Sequence, residues 1–321
     1  MKKDQSFWQK LKKPIYALAP MAGITDSAFR QICKEFGSHI TYSEMASVAA
    51  LVHSPKKTLE MLYSTKKESP YIVQLFGNDP KYFVKAIKLL TDKKQIANLG
   101  ISNYCLPDGI DINLGCPVPK IVKQGAGSVL MQNLKLAREI IKNVINSTNL
   151  PISIKLRSKS GKISALTFLD NTRDLDIKAV MIHGRTKTQG FAGRVNYNII
   201  KKSRNYFSGI ILANGGVINK ETGDKLLQKT NADGLGIARG ALGRPWIFQE
   251  LISQSPKSIN ISKIIIKHAK LLEKLKGKHG IIEMRKHLCW YVRGLPCARK
   301  LRAQLVRVKT IEDINAILEL A

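Results

Sequence analysis

Eight short apolar runs occupy the first three quarters of the chain, and each ends on a polar or turn-forming landmark. The landmarks are Pro20, Glu44, Gln74, Cys116, Lys155, His183, Asn214 and Ala238. Helical patterns fill the gaps. Phe29, Ile32, Cys33 and Phe36 recur at helical spacing. Asp79-Pro80 is an N-cap followed by proline at the first helical position, ahead of Phe83, Ala86, Ile87 and Leu90. Asn133 caps a helix that turns Ala137, Ile140, Ile141, Val144 and Ile145 inward. Eight strand–helix units point to a closed (β/α)8 barrel, a TIM barrel of about 250 residues with functional groups at the C-terminal strand ends. An open doubly wound sheet would place a glycine-rich turn after its first strand. Here that turn is Pro20-Met21-Ala22-Gly23, and the glycine-rich turns follow the last two strands.

The barrel pattern fades near Pro245-Trp246-Ile247-Phe248. Beyond 253–256 the pattern is purely helical: Ile261, Ile264, Ile265, His268 and Leu272 share one face, and Pro296 is expected to start a further helix. The expected division is therefore 1–250 for the barrel and 251–321 for a small all-α domain.

Charge narrows the function. The formal net charge is +30 over 321 residues, which calls for a polyanionic partner, most simply nucleic acid. Residues 256–321 hold 15 basic against 5 acidic side chains, a density well above that of the barrel. The N-terminal stretch has no apolar core of a signal peptide, and no apolar run approaches the ~18 residues of a membrane span. Cys33, Cys105, Cys116, Cys289 and Cys297 include no CxxC pair. This argues against zinc or a disulfide framework and suits a reducing cytoplasm; no metal is expected.

Four groups carry chemistry. Asn214-Gly215-Gly216 and Ala238-Arg239-Gly240 are backbone-exposing turns after strands seven and eight, where barrels bind phosphate. Arg239 would add a forked positive charge. Lys155 and Arg157 alternate onto one face of strand five, and a lysine in a barrel mouth needs an anionic partner, such as a phosphorylated, electron-rich cofactor. Gln74 offers the donor and acceptor that a heterocycle edge requires. Cys116 sits in a Gly-Cys-Pro turn at the end of strand four. With an ordinary thiol pKa of about 8.5 it is a proton donor or, if activated, a nucleophile.

Taken together, Ala19-Pro20-Met21-Ala22-Gly23-Ile24-Thr25-Asp26, Gln74-Leu75-Phe76-Gly77, Asp111-Ile112-Asn113-Leu114-Gly115-Cys116-Pro117, Gly125-Ala126-Gly127-Ser128 and His183-Gly184-Arg185-Thr186 resemble the tRNA-dihydrouridine synthase family. Val118-Pro119-Lys120, Arg239-Gly240-Ala241-Leu242-Gly243-Arg244-Pro245-Trp246, Arg285-Lys286-His287, Trp290-Tyr291 and Gly294-Leu295-Pro296 are most similar to its bacterial B-type. The resemblance runs from about residue 15 to 307.

It implies an FMN-bound barrel that reduces a tRNA uridine, expected in the D-loop, to dihydrouridine with NADPH. Cys116 would be the proton donor. Pro20, Met21 and Ala22 would line the isoalloxazine; Gln74, Lys155 and His183 would contact the ring system or ribityl chain; Asn214, Gly215, Gly216, Ala238 and Arg239 would hold the phosphate. Asn113, Arg157 and Arg185 would lie near the uracil or its phosphate. The helical domain would bind tRNA, and the enzyme would be a cytoplasmic monomer. Departures from the family pattern are Ala238 for a usual Gly, Gly216 for a common Asp, Tyr197 for a usual Trp, and a divergent 158–176 stretch. Two rival readings are a reductase of a free pyrimidine and a non-catalytic tRNA-binding protein. The first has no need of so basic a chain, and the second predicts loss of Cys116, Lys155 or His183, all of which are present.

Overall fold

The computed structural model describes residues 6–101, 104–253 and 258–319. Eight parallel strands close into a barrel: β1 (Ile15–Leu18), β2 (Ile40–Ser47), β3 (Tyr71–Phe76), β4 (Gly109–Leu114), β5 (Ile152–Arg157), β6 (Ala179–His183), β7 (Ile210–Asn214) and β8 (Gly234–Ile237). Closure runs from β1 to β8, with Ile15 opposite Gly234 and Leu18 opposite Ile237. The expected strands are all present. β2 extends further than its apolar run, to Ser47, because a register shift between Tyr42 and Met45 carries it past Ser43 and Glu44.

Alternation along the strands separates two cores. Ile15, Ala17 and Ala19 join Ile40, Tyr42, Ile72, Ala179, Met181 and Leu212 inside the barrel. Trp8, carried by the short Phe7–Lys10 helix, packs into the same cluster from the strand starts. The alternate positions, among them Val73, Leu75, Ile110, Ile112, Ile154 and Ile182, face the outer helices. Those helices begin where side-chain caps allow. Asp79 accepts from the Lys81 and Tyr82 N–H groups, and Asn133 from that of Leu136, each satisfying amide donors that a first turn leaves unpaired. Ile145 is only partly buried, while Ala137, Ile140, Ile141 and Val144 are buried.

The C-terminal segment forms helices Ile261–Lys276, Lys278–Tyr291, Ala298–Leu305 and Ile311–Glu319. They share a core of Ile265, Ala269, Leu272, Ile281, Met284 and Leu288, into which the barrel helix Ser27–Glu35 inserts Ala28. Pro296 does not start a helix. Cys297 takes a left-handed backbone and is itself the N-cap, so the helix begins at Ala298. Part of the expected domain junction, 254–256, lies outside the described residues. The divergent 158–176 stretch contains a two-stranded hairpin, Lys159–Ser160 with Ile163–Ser164, and the Ala165–Asn171 helix. No helix among the described residues is long and apolar enough to cross a membrane.

Candidate active site

The interior register at the C-terminal strand ends is polar. Near its end β3 carries Gln74 on its inward face, β4 Asn113, β5 Lys155 and Arg157, β6 His183 and β7 Asn214. Arg157 lies opposite His183, and His183 opposite Asn214, along the sheet. Ala19 donates its N–H to Ile237 at 2.8 Å, which brings the Pro20-Met21-Ala22 turn beside Ala238. Met21 is partly buried and Ala22 exposed.

The Cys116 turn is held from two sides. Asn113 Oδ1 accepts from the Gly115 and Cys116 N–H groups at 3.1 and 3.0 Å. The Cys116 carbonyl accepts from Ser128 N–H at 2.9 Å. Burial pushes the thiol pKa up, against opposing effects of the Val118 N–H and the Arg157 and Lys155 charges. The sulfur is therefore a thiol at neutral pH, which suits a proton donor better than a nucleophile.

Arg157 is buried and largely committed to the fold. Its Nε donates to Gly115 O at 2.8 Å, and its Nη1 to Thr186 O and Gly190 O at 2.8 and 2.9 Å. It ties the Cys116 turn to the loop after β6. Arg185 donates to Gly193 O of the same loop at 2.9 Å, and its Nη1 lies 3.4 Å from His183 Nε2. Arg239 is exposed; its guanidinium lies 4.3 Å over the ring of Phe191 and donates to the Phe191 carbonyl at 3.5 Å. Three arginines thus pin one loop. Burial first, then Lys155 and the three arginines, push the His183 pKa down to about 2, so its imidazole is neutral.

Lys155 stands apart. Its ammonium is partly buried and has neither a hydrogen bond nor an ion pair among the described residues. Burial and the Arg157 charge lower its pKa to about 8. Attraction from the Asp111 carboxylate offsets this only in part, and an anionic group in the mouth would relieve the remainder. The turn after β7 is open enough to admit one. Gly215 and Gly216 have φ of +115° and +78°, and a Cβ on Gly215 would sit 2.8 Å from His183 Cδ2, so only glycine leaves that space free. Asn214 anchors the turn through Nδ2 to Gly236 O at 2.7 Å. Ala238 has φ −110°, a backbone that costs alanine no left-handed strain. These features fit a phosphorylated cofactor. Among the described residues no cluster of three or more His, Cys, Asp or Glu could hold a metal ion.

Two acidic residues at the site have no role assigned from the sequence, where Glu44 only marks a strand end and Asp111 only opens the Cys116 motif. Glu44 accepts from the Gly23 N–H and has its pKa raised by burial. Asp111 is fully buried beneath Gln74. Tyr197 opens the Tyr197–Lys202 helix and packs against the outer core.

A family model described as dihydrouridine synthase (Dus) matches residues 17–320. A tRNA-dihydrouridine synthase B of Pseudomonas syringae is 33% identical, with 92% of this chain and 87% of the relative covered. Its namesake in Pasteurella multocida is 34% identical over 89% and 86%. A probable tRNA-dihydrouridine synthase 1 of Synechocystis is 29% identical over 94% and 85%. Among solved structures, histamine dehydrogenase from Rhizobium sp. superposes with a TM-score of 0.54 at 12% identity, covering 80% of this chain and 48% of the other. A 2-naphthoyl-CoA reductase gives 0.54 at 12% over 75% and 50%. This chain spans about half the length of those structures, and the likeness is one of barrel fold.

Proposed function

The chain belongs to the dihydrouridine synthase family, and on that premise we propose that it reduces the C5–C6 double bond of a uridine in tRNA, with FMN as cofactor and NADPH as reductant. The observation that carries this reading is the Lys155 ammonium, without a hydrogen bond or ion pair among the described residues, beside the Asn113-held turn where burial keeps Cys116 a thiol. Pro20, Met21 and Ala22 would lie along the flavin ring, with Gln74, Lys155 and His183 at its polar edge or ribityl chain. Asn214, Gly215, Gly216, Ala238 and Arg239 would hold its phosphate, provided the exposed Arg239 leaves the face of Phe191.

When bound and reduced, FMN supplies a hydride to C6 of the uracil. Cys116 holds the matching proton at Sγ and delivers it to C5, so the ring gains two hydrogens and the thiolate is reprotonated from solvent. Lys155, Arg157 and Arg185 place positive charge where electron density gathers at C5 and O4. Asn113 keeps the thiol turn in place; its Nδ2 donates to Gln74 Oε1 and to Met45 Sδ at 3.5 Å, so it would reach the base by exchanging the weak sulfur contact. Neutral His183 donates or accepts without adding charge. The uridine must leave its stack to enter the mouth. The basic helices would grip the tRNA by phosphate and shape; exposed Lys263, Lys267, Lys270 and Lys274 line one face of the 261–276 helix.

The test is nucleoside mass spectrometry of dihydrouridine-free tRNA incubated with the protein, FMN and NADPH. A gain of two hydrogens on one uridine is the expected result. No gain with flavin bound and reducible would redirect the reading to a free pyrimidine; no gain and no flavin would leave a binding protein.

A further inference from the structure

Asp111 opens the strand motif that ends on Cys116, yet it touches none of the atoms assigned to the reaction. It lies two residues below Asn113 on the inward face of β4 and is fully buried. Its carboxylate is the foot of a hydrogen-bonded column. Oδ1 accepts from Ser153 Oγ at 2.6 Å, and Oδ2 accepts from Gln74 Nε2 at 2.7 Å. Gln74 Oε1 in turn accepts from Asn113 Nδ2 at 2.9 Å. Asn113 Oδ1 then takes the Gly115 and Cys116 N–H groups.

The polarity of this column has one solution. An ionised carboxylate only accepts, and a backbone N–H only donates. Between those ends stand two primary amides, each nearly symmetric in shape and each reversible by a flip of its terminal group. With an acceptor at the foot, Gln74 must turn its nitrogen down and its oxygen up. Asn113 must then turn its nitrogen to Gln74 and its oxygen to the thiol turn. If the foot lost its acceptor, Gln74 could reverse at little steric cost. Asn113 would follow and present Nδ2 to two N–H donors, leaving the turn without its acceptor.

We propose that Asp111 is a positioning residue for the reaction: by dictating the amide orientations of Gln74 and Asn113 it holds the Gly115–Cys116 turn, and with it the thiol, in place. This rests on the reading of Cys116 as the proton donor. It predicts that the acceptor atom matters more than the negative charge. Asp111→Asn retains an oxygen for Gln74 and can give its amide to Ser153 Oγ. Asp111→Leu fills similar space without an acceptor. Gln74→Met breaks the column one step higher and leaves the carboxylate alone.

The experiment compares the full-length chain and these variants in two ways. One is alkylation by iodoacetamide without tRNA, following the Cys116 peptide by mass spectrometry with exposed Cys297 as internal reference. The other is steady-state reduction of dihydrouridine-free tRNA. Asp111→Leu and Gln74→Met are expected to speed Cys116 alkylation, relative to Cys297, by fivefold or more. Asp111→Leu is further expected to lower kcat about thirtyfold with KM for tRNA within twofold, and Asp111→Asn to stay within threefold of the parent in both readouts. Alkylation ratios within twofold of the parent in both column-breaking variants would overturn the proposal, as would an Asp111→Asn as impaired as Asp111→Leu. Should Asp111→Leu not fold, Gln74→Met decides the alkylation arm alone. A parent chain that reduces no uridine while the ratios move as stated would leave the column intact and remove the reaction assigned to it.

Discussion

Phe29 of the barrel stacks on His268 of the C-terminal helices, with ring centroids 5.8 Å apart and planes within 22°. His287 closes the group, 4.6 Å from His268 and 5.2 Å from Phe29. The two histidines carry the joint between barrel and helices as neutral aromatic rings. His268 Nδ1 meets Tyr291 Oη at 3.2 Å, while His268 Nε2 and both His287 nitrogens have no hydrogen-bond partner among the described residues. Around them lie Asp26, Lys276 and Lys286; burial is the main cause that pushes the His268 pKa down to about 4 and that of His287 well below its usual value.

An acid-sensitive joint follows from the sign of those shifts. Between pH 6.5, the ordinary histidine value, and about 4, the unfolded chain binds protons that the folded chain refuses. Stability therefore falls as pH drops through that window, by up to about 1.4 kcal/mol per pH unit for each histidine. Urea unfolding at pH 7.0, 6.0 and 5.0 should show the decline. His287→Phe should flatten it, and an unchanged slope in that variant would assign the acid sensitivity elsewhere.

Replacing Cys116 by Ala should abolish dihydrouridine formation, with turnover down at least about a thousandfold, a loss within the range of general-acid effects. Flavin retention should be unaffected, because the groups assigned to the phosphate lie on the turns after β7 and β8 and not on the turn of Cys116. A variant that reduced tRNA at the parental rate would remove the acid from Cys116.

Lys155 predicts a pH dependence of flavin binding that is separate from catalysis. Its pKa of about 8 in the free protein should rise when an anionic ligand pairs with it, so binding takes up a proton above that pH. Affinity for FMN should be flat near pH 7 and fall above pH 8, by up to about tenfold per unit. Fluorescence titrations at pH 7.0, 8.0 and 9.0 measure this. Lys155→Met should bind more weakly at pH 7 and lose most of the slope.

The strand ends are legible in the sequence because a barrel forces a contrast there. Inside the staves most inward residues are apolar or small, whereas at the C-terminal rim they face the mouth and can be polar, as Gln74, Lys155, His183 and Asn214 are. Caps such as Asp79 and Asn133 are equally legible because their partners are three residues away or fewer. Asp111 is not: it reads as one polar residue inside a strand, and its partners Gln74 and Ser153 are 37 and 42 residues distant. The role of Arg157 is hidden for the same reason, since its three carbonyl acceptors belong to loops whose meeting only closure of the barrel creates. The 159–164 hairpin has two residues per strand, too few for any period to show.

Arg30 and Glu68 form an ion pair with no solvent exposure on either side chain, Nε to Oε2 at 2.6 Å. The remaining guanidinium nitrogens donate to Thr25 O and Tyr63 O, both at 2.6 Å. Glu68 Oε1 accepts from Ser27 Oγ at 2.6 Å and from the Thr65 N–H at 2.8 Å. Removing one member strands the other charge in a dry site, which costs about 3–5 kcal/mol. Arg30→Met and Glu68→Gln should each lower unfolding free energy by that order, and the double variant should recover part of the loss. A double variant no better than the sum of the singles would mean that packing, not pairing, sets the cost.

The lysine face of the 261–276 helix should govern how salt affects tRNA binding. Lys263, Lys270 and Lys274 are exposed and lie at helical spacing; Lys267, on the same face, also pairs with Glu35 at 2.7 Å. Each lysine that neutralises a phosphate releases condensed counterions and adds just under one unit to the slope of log K against log salt. Substituting Lys263, Lys270 and Lys274 together by Ala should therefore reduce that slope by about 2 to 3 units and weaken binding most at low salt. Turnover at saturating tRNA should change little, because none of the three reaches the barrel mouth. Filter binding between 50 and 300 mM KCl gives the slope directly. If it stays parental, the tRNA runs over a different face of these helices, and the search moves to Arg293, Arg299 and Arg302 around the Ala298–Leu305 helix.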